Sequence, residues 1–190
     1  MFPAIFLDRD GVLIENRANY VRDWSDVKIF PEAIKGLSNP RLEHYKIVIV
    51  TNQSGVGRGI IPIATAEKIN KRLVDLIRDQ SGKLDGAYLC PHSPDTKCDC
   101  RKPKPGLLLQ AADELSLDLK RSWMIGDAWS DVQAGQAAGV RGTVIVKTGR
   151  GEDQLSMPRP NGIKDHLVCD DLSHALKVIL DHDIEITSIT

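Results

Sequence analysis

Short apolar runs alternate with longer segments of helical period along most of the chain, and few folds accommodate that alternation. The runs are Ala4–Leu7, Ile47–Val50, Ala87–Cys90, Trp123–Ile125 and Thr143–Val146, with a shorter one at Leu167–Cys169. They lack the in-out alternation of a half-buried strand, so each reads as a strand covered on both faces, the condition of a parallel sheet. Between them the periodicity predicts helices from Pro31 to about Asn39, Ile63 to about Ser81, Pro105 to Leu115, Ser130 to Ala138 and Leu172 to about Leu180. Prolines open the first turns at 31 and 105, and Gly139 follows Ala138 as a C-cap. The pattern predicts an α/β fold: one open, mostly parallel sheet of five or six strands with helices on both faces. A single domain over residues 1–182 is expected, with 183–190 as a tail. Residues 148–164, polar and rich in Gly and Pro, are expected to form a surface loop.

The charge balance excludes several roles. Twenty-five basic side chains stand against 26 acidic ones, for a net charge of −1. Such a chain has no global field for holding nucleic acid or an anionic membrane, so any grip on phosphate must be local. No stretch approaches about 18 uncharged apolar residues. The opening MFPAIFLDRDGV lacks the basic and apolar regions of a secretory signal. A cytoplasmic protein with no nucleic-acid or membrane partner is expected. Three of the four cysteines crowd between 90 and 100, which is no disulfide framework.

The densest chemistry follows the first strand. Asp8 and Asp10 sit two apart at its end, so both carboxylates can face one point at the carboxyl edge of the sheet. Paired carboxylates repel unless a cation joins them or one keeps its proton. Both outcomes are useful: Mg²⁺ favours one or two carboxylates plus phosphate oxygens, and a carboxylate can attack phosphorus while its neighbour protonates the leaving oxygen. Three later segments reach the same edge. Thr51-Asn52-Gln53-Ser54-Gly55 offers hydroxyl, amide and backbone donors, and Arg101-Lys102-Pro103-Lys104-Pro105 places cations before a helix. Gly126-Asp127 follows the fourth strand, with Asp131 four residues on, where it can cap the helix or orient the cation shell. Taken singly, each segment also suits a solvated turn or basic loop.

Cys90, His92, Cys98 and Cys100 supply three thiolates and an imidazole, a set that meets the tetrahedral requirement of Zn²⁺ with no position left for water. Such a closed site is structural. It would pin a loop over about 90–104, whose stretch Ser93–Lys97 has no apolar residue. The loop leads directly into Arg101 and Lys102. Cys169 reads as a core thiol.

DxDGV after the first strand, a threonine after the second, a basic Lys and GDxxxD after the fourth resemble the four motifs of the haloacid dehalogenase (HAD) superfamily of phosphohydrolases. They occur in order across residues 4–131. The resemblance implies a Rossmann-like phosphatase with Asp8 as nucleophile, Asp10 as general acid/base, Thr51 as phosphoryl donor and Lys102 balancing charge. It implies Mg²⁺ held by Asp8, the backbone carbonyl of Asp10, and Asp127. CPHSP…CDCRKPKPG with LDRDG and TNQSGVGRG is similar to the zinc-loop HAD phosphatases, a family without a large cap domain that acts on heptose 1,7-bisphosphate or histidinol phosphate. Arg58 in TNQSGVGRG, and CRKPKPGLLLQAA, look more like the heptose members. The expected substrate is therefore a small phosphorylated sugar, with histidinol phosphate or another small phosphomonoester as the alternative. Asn52, Gln53, Arg58 and Arg101 are the expected substrate contacts. Loops at about 16–26 and 54–61 and the zinc loop are expected to shape the pocket of a monomeric enzyme. Ala128 departs from the pattern, since the heptose members usually carry a basic residue there. A non-catalytic, zinc-stabilised phosphate-binding module is the reading from a different class.

Overall fold

A computed structural model of the chain describes residues 1–187, with side chains to residue 182. In chain order its elements are β1 (Ala4–Leu7), α1 (Pro31–Leu37), β2 (Lys46–Asn52), α2 (Ser54–Gly57), α3 (Ile63–Asp79), β3 (Gly86–Cys90) and α4 (Gly106–Glu114). There follow β4 (Trp123–Gly126), α5 (Trp129–Ala138), β5 (Gly142–Val146), α6 (Gly151–Ser156), β6 (Leu167–Cys169) and α7 (Leu172–Thr187). All six strands are parallel, in the order β3-β2-β1-β4-β5-β6. The order reverses at β1, so the crevice outside the carboxyl ends of β1 and β4 is where an open α/β sheet takes its ligand.

Strand alternation divides the core. Ile5 and Leu7 of β1 join Ile47 and Ile49 of β2 against α1, α3 and α7, where Leu37, Ile69, Leu73, Ile77, Leu176 and Ile179 are buried. Ala4 and Phe6 face the other way with Val48 and Val50, against Leu107, Leu108 and Ala111 of α4 and Ala134 of α5. Both faces of the sheet are thus covered, as the continuous apolar runs require.

Two expectations change. The segment expected to be a loop contains α6, which packs Leu155 against a small cluster of Trp129, Val132, Ile145 and Ile163. Helix α7 also continues past Leu180 to Thr187, and residues 188–190, part of the expected tail, lie outside the described residues. Between β1 and α1 the chain forms a single 3-10 turn at Trp24–Asp26 and a bridge from Ile14 to Ile29. That segment is too small for a folded cap. No helix among the described residues is long and apolar enough to cross a membrane.

Candidate active site

Register places the sheet-edge carboxylates. Leu7 pairs with Ile125 of β4, and the Asp8 amide donates to the Ile125 carbonyl at 2.9 Å, so Asp8 and Asp127 leave adjacent strands side by side. Asp131 follows in the first turn of α5, where Oδ2 accepts the Ala128 amide at 3.1 Å. Gly11, with φ of +88°, lets the chain turn tightly over this cluster. A Cβ there would lie 2.1 Å from Asp127 Oδ2, so no other residue fits.

Carboxylate oxygens of Asp8, Asp127 and Asp131 all lie within 4.8 Å of one another, and all three residues are buried. Oxygens opposite each other around Mg²⁺ are about 4 Å apart, so this all-oxygen set suits a hard divalent cation. Protein cations already oppose the charge. Lys102 Nζ lies 3.0 Å from Asp8 Oδ1 and 2.7 Å from Asp131 Oδ1, and donates to the Val50 carbonyl at 2.8 Å. Burial works against the charged Lys102, yet Asp131 and Asp8 outweigh it and hold the ammonium above its ordinary pKa. Burial raises the Asp131 carboxyl to about 7, helped by Asp8 and Asp127 and opposed by Lys102. On the other side, Asp127 Oδ2 accepts from Asn16 Nδ2 at 3.0 Å and from the Arg150 amide at 2.9 Å. The Arg150 guanidinium lies 3.1 Å from Asp127 Oδ1.

The Asp10 carboxylate stands outside this trio and lines the cavity, with 26% of its side chain exposed. Arg9 Nε and Nη2 grip both of its oxygens at 3.0–3.2 Å, and Gln53 Nε2 donates to its Oδ2 at 2.9 Å. The side-chain carboxylate of Asp10 is therefore no part of the cation cluster.

The second cluster stands on the loop after β3. Cys90 Sγ lies 3.8 Å from Cys98 Sγ and 3.5 Å from His92 Nδ1, and Cys100 Sγ lies 3.2 Å from Cys90 Sγ and 3.3 Å from His92 Nδ1. A tetrahedral Zn²⁺ site separates its ligands by about 3.8 Å for two sulfurs and about 3.6 Å for sulfur and nitrogen. The set fits that ion. Burial raises the Cys90 thiol, and burial with the neighbouring thiols lifts Cys100 to about 12. Burial also pushes on Cys98, but the Arg101 amide and the adjacent thiols bring it net below its ordinary value.

A cavity of about 910 Å³ joins the regions, lined among others by Asp8, Asp10, Asn16, Lys102, Asp131 and Arg150, within the size range of small-molecule sites. Among the expected contacts, Arg101 lines it, with its guanidinium donating to the His92 carbonyl at 3.3 Å. Asn52 lines it too, but spends its amide on the backbone of Lys102: Nδ2 donates to the Lys102 carbonyl at 3.0 Å and Oδ1 accepts its amide at 3.1 Å. Gln53 lines it as well, though it is buried and its amide bonds to Asp10, Thr51 and Arg9. Thr51 is buried under Gln53, which donates to its hydroxyl at 2.8 Å. Arg58 is exposed at the end of α2 and is not among the lining residues, and of the loop at 54–61 only Ser54 lines the cavity. Arg150 escaped sequence reasoning, and Asn16 was expected only as part of a pocket-shaping loop, not as a partner of Asp127. The signal for Arg150 was position, a cation in TGRG just beyond β5 at the same sheet edge. It also brings a guanidinium to the neighbourhood where Ala128 leaves none.

Comparison with known proteins agrees with this geometry. A HAD-hydrolase-like family model matches residues 99–175. The D-glycero-beta-D-manno-heptose-1,7-bisphosphate 7-phosphatase of Pseudomonas aeruginosa is 35% identical over 176 residues, covering 93% of this chain and 97% of that protein. Its namesake in Escherichia coli K12 is 39% identical over 155 residues, 78% of this chain and 81% of that protein. The crystal structure of D,D-heptose 1,7-bisphosphate phosphatase from B. bronchiseptica, complexed with magnesium and phosphate, superposes with a TM-score of 0.85 at 31% identity. It matches 95% of this chain and 99% of that one.

Proposed function

Because the chain belongs to the D-glycero-beta-D-manno-heptose-1,7-bisphosphate 7-phosphatase family of HAD-like hydrolases, we propose that it removes the 7-phosphate of that sugar through an aspartyl-phosphate. The observation that carries this reading is the pairing of Asp8 with Lys102 beside Asp127 at the point where the sheet order reverses. Asp8 attacks phosphorus, and the bond from phosphorus to the sugar oxygen breaks as Asp10 delivers a proton to that oxygen. Asp10 then takes a proton from water as the water attacks phosphorus. The bond to Asp8 breaks and inorganic phosphate leaves. Thr51 donates to the phosphoryl group, and Lys102 keeps Asp8 oriented and offsets the charge around it. Mg²⁺, held by Asp8, Asp127 and the backbone carbonyl of Asp10, would neutralise phosphoryl oxygens, with Asp131, bound to Lys102 and the Ala128 amide, bordering that shell. Zn²⁺ on Cys90, His92, Cys98 and Cys100 would fix the loop that presents Arg101 and Lys102.

The cavity's charge supports a bisphosphate. Arg17, Lys97, Arg101 and Lys104 line it against Asp95 outside the carboxylate centre. Such a wall attracts a second phosphate and repels the ammonium of histidinol phosphate. Thiols poised for metal suit the reducing cytoplasm, and the reading includes a monomer.

The test is turnover with Mg²⁺ on heptose 1,7-bisphosphate and histidinol phosphate, in wild type and Asp8→Asn. Preference for the bisphosphate and loss of at least about a thousandfold in the variant are expected. Unchanged turnover in Asp8→Asn would defeat the mechanism, and preference for histidinol phosphate would overturn the substrate.

A further inference from the structure

Arg9, between the two motif aspartates, is the largest fully buried side chain among the described residues, at 1% exposure. A guanidinium removed from water is tolerated only when its donors are met and its charge paired. Nε and Nη2 take the two oxygens of Asp10, Nη2 also reaches Gln53 Oε1 at 2.9 Å, and Nη1 reaches Asn70 Oδ1 at 2.8 Å. Asn70 is itself buried in α3, and its Nδ2 has no partner among the described residues. The helix thus commits a buried side-chain oxygen to Arg9. A solvated turn would need none of this.

We infer that Arg9, braced by Asn70 and Gln53, is the positioning residue that aims the Asp10 carboxylate at the leaving oxygen. The inference rests on the reading of Asp10 as proton donor. A carboxylate on a short side chain is free to rotate about its last bond, and a two-point guanidinium grip removes that freedom. Gln53 extends the frame, since the same Nε2 that meets Asp10 Oδ2 also meets Thr51 Oγ1. One buried network therefore sets both the group facing the departing oxygen and the group facing the phosphoryl oxygens.

The test compares two esters. A sugar alkoxide needs a proton to leave, whereas the 4-nitrophenolate of 4-nitrophenyl phosphate does not. kcat/KM stops at the first irreversible step, so the later work of Asp10 on water drops out of it. In Arg9→Met, kcat/KM for heptose 1,7-bisphosphate should fall about 10- to 100-fold while that for 4-nitrophenyl phosphate changes less than about threefold. Arg9→Lys keeps the charge without the fork and should fall between. Gln53→Met should shift the same ratio by less, and it carries the test if Arg9→Met does not fold. Equal losses on both esters in Arg9→Met and Gln53→Met would overturn the inference, leaving Arg9 a structural ion pair. Asp10→Asn separates the two failures: if it loses both esters equally, the proton-donor reading is wrong, and if it alone splits them, only the positioning is wrong.

Discussion

The molecule gathers metal-binding side chains twice, within one cavity wall of each other, by opposite means. Asp8, Asp127 and Asp131 stand at the ends of β1 and β4 and in the first turn of α5, elements fixed by the two apolar cores on either side of the sheet. Lys102 and Arg150 already oppose their charge. Of the second set, Cys90 ends β3, but His92, Cys98 and Cys100 lie on chain with no helix or strand. Cys90 and Cys100 are biased toward the protonated thiol, so that cluster is not a ready-made anion cage. The difference teaches where the holding energy comes from. The carboxylates are arranged by regular elements and balanced by protein cations, whereas the thiols sit mostly on a loop with no cation among them. The regions are joined by Asn52, whose amide brackets the backbone of Lys102 and ties the thiol loop to β2.

Lys102→Met breaks the comparison most severely, because it strips the carboxylates of their internal cation. Asp8 and Asp131 would remain buried and unpaired, a change that costs about 3–5 kcal/mol when one partner of a buried pair is deleted. Urea unfolding of the metal-free variant should show that loss, and added Mg²⁺ should recover part of it by mass action. A loss below about 1 kcal/mol would mean that the strands hold the cluster without help from charge.

Removing zinc probes the other region. Cys100→Ser should lower kcat about 10- to 100-fold, the usual scale when a residue's supporting shell is lost, through misplacement of Arg101 and Lys102. Limited proteolysis should cut first between 93 and 97. Loss of activity without new cleavage there would argue against a loop shaped by its metal. The raised thiols add a sign. At pH 7 the zinc-free protein keeps protons on Cys90 and Cys100, and binding must expel them, so Zn²⁺ affinity should rise with pH by about tenfold or more per unit. Competition titrations at pH 6, 7 and 8 would measure the slope, and a flat profile would show that the ligands are already ionised.

Legibility in the sequence followed the same divide. Strands, sheet class, helices α1, α3, α4 and α5 and the first part of α7 were readable because buried parallel strands and amphipathic helices impose periods on the chain, and the Cys/His set was readable because ligand chemistry is local. What periodicity cannot carry is the direction of a polar side chain. Asn52 and Gln53 read as substrate contacts from their place after β2, yet both amides turn onto the protein's own groups. Helix α6 was hidden in Gly- and Pro-rich sequence because its stability comes from packing on Trp129 and Ile145, not from propensity. Arg150 was hidden with it.

That arginine gives the smallest and most discriminating test of the carboxylate region. Its guanidinium touches both Asp127 oxygens, Oδ1 at 3.1 Å through Nη2 and Oδ2 at 3.3 Å through Nε, while its backbone amide and Asn16 also hold Oδ2. A divalent cation on Asp127 must compete with the guanidinium but not with the other two donors. The Arg150 side chain is 55% exposed, so solvent screens its side of the pair although Asp127 is buried, and the interaction is worth on the order of 1 kcal/mol. Arg150→Ala should therefore tighten Mg²⁺ binding about two- to fivefold by calorimetry on the metal-free protein, and the gain should shrink in high salt. Weaker binding in the variant would reverse the assignment, making Arg150 a clamp that shapes Asp127 for the metal instead of a stand-in that yields to it.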